Sequence, residues 1–214
     1  MFVNTTMNTH FIPIFPLNLI VFPTEKLNLH IFEPRYKQLI TEIAETKGAF
    51  GITLFDKGKV AKYGTEMHLL DIAQIYPNGE MDIRTQGRRV FELLHFQAQA
   101  PHRLYPWGEV TYKENVLDAD DHTAIELTQA LKKLHELLNV RKEFPNFDSF
   151  TIAHYVGLGK DELLYLLTLD RESERQQFLL YHLNNWLPTL EQEQFIKEKV
   201  QMNGHFRDLP ELKF

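Results

Sequence analysis

Covalent chemistry has little to work with in this chain. It holds no cysteine, which excludes a thiolate nucleophile, a disulfide and a thiolate metal site. Its two serines are Ser149 and Ser173, and Ser173 lies in the polar helical stretch Arg171-Glu172-Ser173-Glu174. None of the ten histidines stands four residues from another, so the helical His-x-x-x-His zinc pair is absent. Asp118, Asp120, Asp121 and His122 are grouped like metal ligands. An acidic run just ahead of an apolar-periodic segment also serves a helix start, and we read it so. Gly87 with Arg88 and Arg89 could cradle an anion, because glycine lets the backbone approach closely. A bulge in a bent strand explains the same glycine and is the reading adopted. Tyr105 and Trp107, flanking Pro106, could stack on a nucleobase, but without basic bulk around them a packed turn fits better. No metal and no cofactor is expected.

What remains is a cluster suited to contact rather than to bond chemistry. Phe32, Glu33, Arg35, Tyr36 and Lys37 combine aromatic and charged groups where a strand pattern meets a helix pattern. Such a mixture suits transient binding of a peptide. The same residues also have structural work: Glu33 complements the helix start, Arg35 pairs with a carboxylate and Tyr36 packs. Both roles can hold together.

Length and charge set the frame for that cluster. A chain of 214 residues, 43% hydrophobic and 24% charged, is long enough for one large domain or two small ones with a shared core. The net charge is −6, and all of it lies in residues 115–214, since residues 1–114 carry equal numbers of acidic and basic groups. A nucleic-acid binder needs a cationic surface to replace phosphate counterions, so no nucleic-acid partner is expected. The apolar opening, residues 11–22, is interrupted by Pro13, Pro16 and Asn18 and has no preceding Lys or Arg. It is neither a signal peptide nor a membrane helix, and a cytoplasmic location is expected.

The elements that must position the cluster change period part-way along the chain. Residues 11–15 and 17–22 are short apolar runs, and 27–32 alternates apolar with polar, as a half-buried strand does. Pro34 then opens a helix with Tyr36, Leu39, Ile40 and Ile43 on one face and Gly48 as its stop. Strands follow over 49–55, 66–76, 81–85, 89–97 and 108–112, with Pro77-Asn78-Gly79 as a hairpin turn and Gly87 as a break. Many strands, one helix and frequent turns predict a small, strongly bent sheet or pseudo-barrel. From about 114–120 the pattern is helical. Leu127, Leu131, Leu134 and Leu138 share a face, and so do Leu179, Leu183, Trp186 and Leu190, with Pro188 expected to kink or split that last helix. Phe150, Ile152 and Tyr155 form a short helix ended by Gly157 and Gly159, and another spans 161–168.

Several of these segments resemble, in order and spacing, a known family. Phe15-Pro16-Leu17-Asn18-Leu19-Ile20-Val21-Phe22-Pro23 and Leu29-His30-Ile31-Phe32-Glu33-Pro34-Arg35-Tyr36 resemble the opening of the Lon protease N-terminal, substrate-binding domain. Phe50-Gly51-Ile52, Gly64-Thr65, Pro77-Asn78-Gly79 and Gln86-Gly87-Arg88-Arg89-Val90-Phe91 match its later landmarks. Glu174-Arg175-Gln176-Gln177-Phe178-Leu179-Leu180 resembles the lead into its last helices. The resemblance implies an α+β fold: an N-terminal PUA-like β pseudo-barrel with one helix over residues 1–117, followed by a C-terminal helical bundle over 118–214 packed on it. It implies a stand-alone bacterial binding module for unfolded or degron-bearing polypeptides, working with a separate protease or chaperone and without a membrane. The runner-up is a PUA-like protein for small ligands or RNA, which would need a basic groove near Arg84, Arg88, Arg89 and Arg103.

The catalytic parts of a Lon protease are missing from the sequence. An ATPase of that kind needs Gly-x-x-x-x-Gly-Lys-[Ser/Thr] to hold phosphates, yet Gly58-Lys59 is followed by Val60 and has no glycine at the earlier position. Its peptidase needs a serine activated by a lysine in a glycine-flanked context, which neither Ser149 nor Ser173 has. The expected protein is therefore not an enzyme.

Overall fold

A computed structural model describes residues 8–140 and 147–204. The fold is α+β with a mixed sheet of six strands: β1 (His10–Leu17), β2 (Lys26–Ile31), β3 (Ala49–Asp56), β4 (Lys59–Ile75), β5 (Met81–Gln97) and β6 (Trp107–Tyr112). Helix α1 (Pro34–Thr46) separates β2 from β3. The chain divides into two compact units. The first is residues 1–117 with 158–172, and the second is 118–157 with 173–214.

In the first unit the strands pair β1–β3–β4–β5–β6 and back to β1, which closes a ring, and β2 is added outside it on β5. The pairing of β1 with β3 is parallel and the others are antiparallel. Strand β1 bonds β6 through residues 10–13 and β3 through 14–17, so each half has one strand partner. That division leaves room for Pro13 and Pro16, which have no N–H to give a ladder. Two apolar clusters result. Ile12, Ile14, Phe91, Leu93 and Val110 form one. The other sets Tyr36, Leu39, Ile40 and Ile43 of α1 against Phe15, Phe50, Ile52, Met67, Met81 and Ile83. Each such side chain contributes about 1.5–3 kcal/mol by leaving water, which is what holds α1 on the sheet.

In this unit the structure departs from the sequence reading in several details, and β4 starts at Lys59 instead of at 66. Residues 17–22 do not form a second strand; after Leu17 the chain turns, with Ile20, Val21 and Phe22 buried. Helix α1 is closed by Lys47 in the left-handed conformation rather than by Gly48. Gly87 does not break a strand: β5 runs unbroken from Met81 to Gln97. Its register against β4 steps from Arg89 opposite Glu66 to Gly87 opposite Met67, so Arg88 is the extra residue of a bulge. A Cβ on Gly87 would stand 2.2 Å from the Phe22 carbonyl oxygen, so only glycine admits that loop.

Residues 158–172 carry the short helix α4 (Lys160–Leu166). The Lys160 ammonium donates to Asn18 Oδ1 at 2.6 Å and lies 3.5 Å from Asp56. Further along, Val116 bridges Arg171, Glu172 N–H donates to the Val116 carbonyl, and Lys113 pairs with Asp170 at 2.7 Å.

The second unit is helical, with α2 (Asp121–Leu138), α3 (Ser149–Ile152), a 3-10 turn (Ala153–Tyr155) and most of α5 (Glu172–Gly204). Leu127, Leu131 and Leu134 are buried on α2, and Leu179, Leu183 and Leu187 on α5. The side chain of Gln194 donates to the Leu137 carbonyl, and Lys133 pairs with Glu191 at 2.8 Å. Arg175 is almost fully enclosed; its Nε donates to Ser149 Oγ at 2.9 Å and its guanidinium lies 4.3 Å from the Phe150 ring centre. Gly157, at φ +75°, ends the 3-10 stretch with Trp186 so close that a Cβ would meet its ring at 2.5 Å. Pro188 neither ends nor splits α5, which continues through it.

Candidate functional site

The strand ring brings five strand ends to one mouth. The end of β1 (Pro16), the end of β3 (Phe55), the start of β4 (Val60), the end of β5 (Phe96) and Pro106 just before β6 line one concavity. The first turn of α1 adds Arg35 and Tyr36, and Ala98 completes the lining. Pro34 sets the opening φ of that helix, and the Glu33 carbonyl accepts from the N–H groups of Tyr36 and Lys37, both at 3.0 Å. The concavity measures about 230 Å³. Small-molecule pockets run to roughly 300–1,000 Å³, so this one suits a side chain or two better than a cofactor. Its lining side chains are apolar apart from Arg35 and the hydroxyl of Tyr36. Phe55 keeps 43% of its surface exposed although it is a large aromatic on a strand, and Phe96 is half-buried.

The five residues singled out from sequence divide between two places. Arg35 and Tyr36 are at the mouth. The Tyr36 ring is buried and stacks on Phe15 with centroids 3.7 Å apart, and burial pushes its phenol up. The Arg35 guanidinium lies 4.7 Å from the Tyr36 ring centre and pairs with Glu33 at 2.7 Å, so Glu33 orients Arg35 instead of capping the helix with its side chain. Phe32 and Lys37 lie beside the β4–β5 hairpin. Lys37 Nζ donates to the Asn78 carbonyl at 3.0 Å, and Phe32, 59% exposed, is stacked at 6.3 Å from the His30 ring. His30 in turn meets Asp82 at 2.7 Å and Glu80 at 3.3 Å, and Tyr76 donates to Asp82 at 2.6 Å. The hydrogen bond that the His30 ring donates to Asp82 raises the His30 pKa, and the bonds that Asp82 accepts from Tyr76 and His30 lower its own.

Pro16, Phe55, Val60, Phe96 and Pro106 were not legible as a site. Phe55 ends an apolar run just before Asp56-Lys57-Gly58, and only that position beside a turn hints that it faces outward.

The other sequence candidates have structural work. Asp120 caps α2, accepting from Thr123 N–H at 2.8 Å and its hydroxyl at 2.7 Å, and Asp118 accepts from Ser173 N–H and hydroxyl. Among the described residues no group of three or more His, Asp or Glu is arranged to hold a metal ion. Arg84 pairs with Asp71 at 2.8 Å, Arg89 with Glu66 at 3.1 Å, and Arg103 with Glu42 at 2.7 Å, while Arg88 contacts His68. Three of the four arginines of a would-be basic groove are thus neutralised in place. Trp107 donates to Gln97 and packs on Phe11, and Tyr105 is buried, donating to Glu42.

The family model described as the ATP-dependent protease La (LON) substrate-binding domain matches residues 12–185, which takes in the whole mouth. The chain belongs to the LON substrate-binding domain family. The family's description is that of the binding part of the protease. Among solved structures, a LON relative from Xanthomonas campestris, described as a Lon N-terminal domain protein, superposes with a TM-score of 0.65 at 25% identity, covering 80% of this chain and 98% of its own. The N-terminal domain of Mycobacterium avium complex Lon protease superposes with a TM-score of 0.61 at 17% identity, covering 82% and 98%, and shares the fold. Among the described residues no helix of this LON domain is long and apolar enough to cross a membrane.

Proposed function

We propose that this chain is a non-catalytic binding module that captures apolar segments of unfolded or degron-bearing polypeptides, with the mouth of a PUA-like pseudo-barrel as its anchor site. The observation that carries the reading is the apolar mouth itself: Phe55 and Phe96 stand incompletely buried between two prolines, at the open end of a ring whose interior is filled. A client's aromatic or large aliphatic side chain entering there leaves water, and Arg35, held by Glu33, marks a polar rim. The family match supports substrate binding, and the small volume favours a side-chain anchor over a cofactor. Clients would pass on to a protease or chaperone, and the residues we assign to contact are Arg35 and Tyr36 at the mouth, oriented by Glu33, with Phe32 and Lys37 alongside.

The test is binding of a carboxymethylated, permanently unfolded polypeptide, followed by fluorescence anisotropy. Phe55→Ser with Phe96→Ser is expected to weaken binding about tenfold or more, a loss of about 1.4 kcal/mol or greater, with the fold retained by circular dichroism. Undiminished binding by that double variant sinks the assignment of the mouth.

A further inference from the structure

Strand β2 offers a second, complementary grip. It stands at the end of the strand order and pairs with β5 alone, through six consecutive positions from Lys26 opposite Gln86 to Ile31 opposite Met81, with no shift of register. Its other edge has no strand partner among the described residues. Among the described residues the far half of β4 is also without a strand partner on one side, because β3 stops at Ala49 opposite His68. That stretch, however, is interrupted by two register shifts against β5, between Leu69 and Asp71 and between Ile72 and Gln74. Bulges bend a strand and blunt its edge, and proteins use them, with proline and charge, to keep free edges from pairing. Strand β2 has neither bulge nor proline, and its one lysine, Lys26, stands at its first position, so it is the more regular edge of the two.

We infer that an extended segment of the client polypeptide adds to the free edge of β2 as a further strand. This rests on the binding function proposed above and adds the form in which the client is held. Six residues of strand span about 20 Å at about 3.3 Å per residue, enough to grip a short extended stretch through main-chain bonds whatever its sequence. The side chains of β2 state what that stretch should carry. Leu27 and Leu29 are half-buried on one face, whereas Lys26, Asn28 and His30 are exposed on the other. Lys26 has no ion pair among the described residues, so a carboxylate on the incoming strand beside it is favoured. The preferred client is therefore an extended segment with alternate apolar residues and an acidic residue near one end. At its other end β2 runs directly into exposed Phe32 and, four residues after Ile31, Arg35 at the rim of the mouth.

The test uses the full chain and an eight-residue peptide of alternating valine and threonine ending in glutamate, with two isomers N-methylated at the odd or at the even amides. Successive amides of a strand point to opposite edges, so only one isomer is blocked from pairing with β2. An affinity difference of about tenfold between the isomers, and loss of the glutamate preference in Lys26→Glu with its reversal by a lysine-ended peptide, is the expected result. Equal affinities overturn edge addition. So does a parent peptide that fails to bind while the carboxymethylated polypeptide is still retained, and so does sedimentation showing that a second copy of the chain occupies the edge. In each of these cases the test of the mouth by Phe55→Ser and Phe96→Ser stands separately, because that variant leaves β2 untouched.

Discussion

Glu66 is a carboxylate with 2% of its surface in water, answered from three strands of the ring. Arg89 on β5 reaches it with Nε at 3.1 Å and Nη2 at 3.2 Å, His68 on β4 lies 3.4 Å away, and the Tyr112 hydroxyl on β6 donates to it. Burial alone would raise the Glu66 pKa, but the hydrogen bonds from Tyr112 and Arg89 outweigh it and hold the group below the usual carboxylate value. Burial, and then the bond to Glu66, pushes the Tyr112 phenol up to about 12. The Arg89 guanidinium also stacks 3.3 Å from the Tyr112 ring centre. The cluster fastens β4, β5 and β6 together. Glu66→Gln keeps the shape but removes the charge that the half-exposed Arg89 answers. It should cost about 2 kcal/mol, below the 3–5 kcal/mol of a fully buried pair, and chemical denaturation will read it. His30 gives a residue-scale prediction in pH. Its pKa is raised by Asp82, so its contribution is complete below the unfolded value of about 6.5 and is lost as pH rises through the higher folded value. A proton NMR titration should place the His30 midpoint above about 6.5, and Asp82→Asn should bring it down; an unshifted midpoint contradicts the contact.

At the scale of elements, α5 contains a local rule broken and overridden. Pro188 is exposed inside a 33-residue helix. It has no N–H for the Asn184 carbonyl one turn back, and proline costs about 3 kcal/mol against alanine in a helix interior. The buried face that Leu179, Leu183 and Leu187 share is what carries the helix through. Pro188→Ala should therefore stabilise the protein, by about 1–3 kcal/mol, seen as a higher melting temperature. A fall would mean that proline shapes the groove it lines with Ala130, Lys133 and Leu187. The β4–β5 hairpin shows the opposite case, local chemistry obeyed. Gly79 takes φ +76° and its N–H donates to the Tyr76 carbonyl, Asn78 Oδ1 accepts from Glu80 N–H, and the strands rejoin where Tyr76 meets Glu80.

At the scale of the whole molecule, charge decides between partners. A net charge of −6, with Arg84, Arg89 and Arg103 already on carboxylates, leaves little to replace phosphate counterions. Generic RNA should not be retained at 0.15 M salt, whereas polypeptide capture by an apolar mouth should change little between low and high salt. Salt-sensitive RNA retention in a filter-binding assay would instead favour the runner-up reading.

The sequence by itself determined the α+β class, most strand positions, the helix after Pro34 and the change of period near 114–120, because each is written in local spacing and turn chemistry that neighbours rarely override. It also carried the family, through the order of its short motifs. Tertiary structure alone decided the rest. Residues 81–85 and 89–97 are one bulged strand in which Gly87 exchanges main-chain bonds with Thr24 and Glu25 and leaves no room for a Cβ beside the Phe22 carbonyl, 65 residues away in the chain. Residues 158–172 join the first unit through bonds of Lys160 with Asn18 and of Arg171 with Val116, which no periodicity announces. The mouth belongs to this second group. Phe55 and Phe96 look like core residues in sequence, and only the closing of the ring, which gathers five strand ends in one place, leaves them facing water.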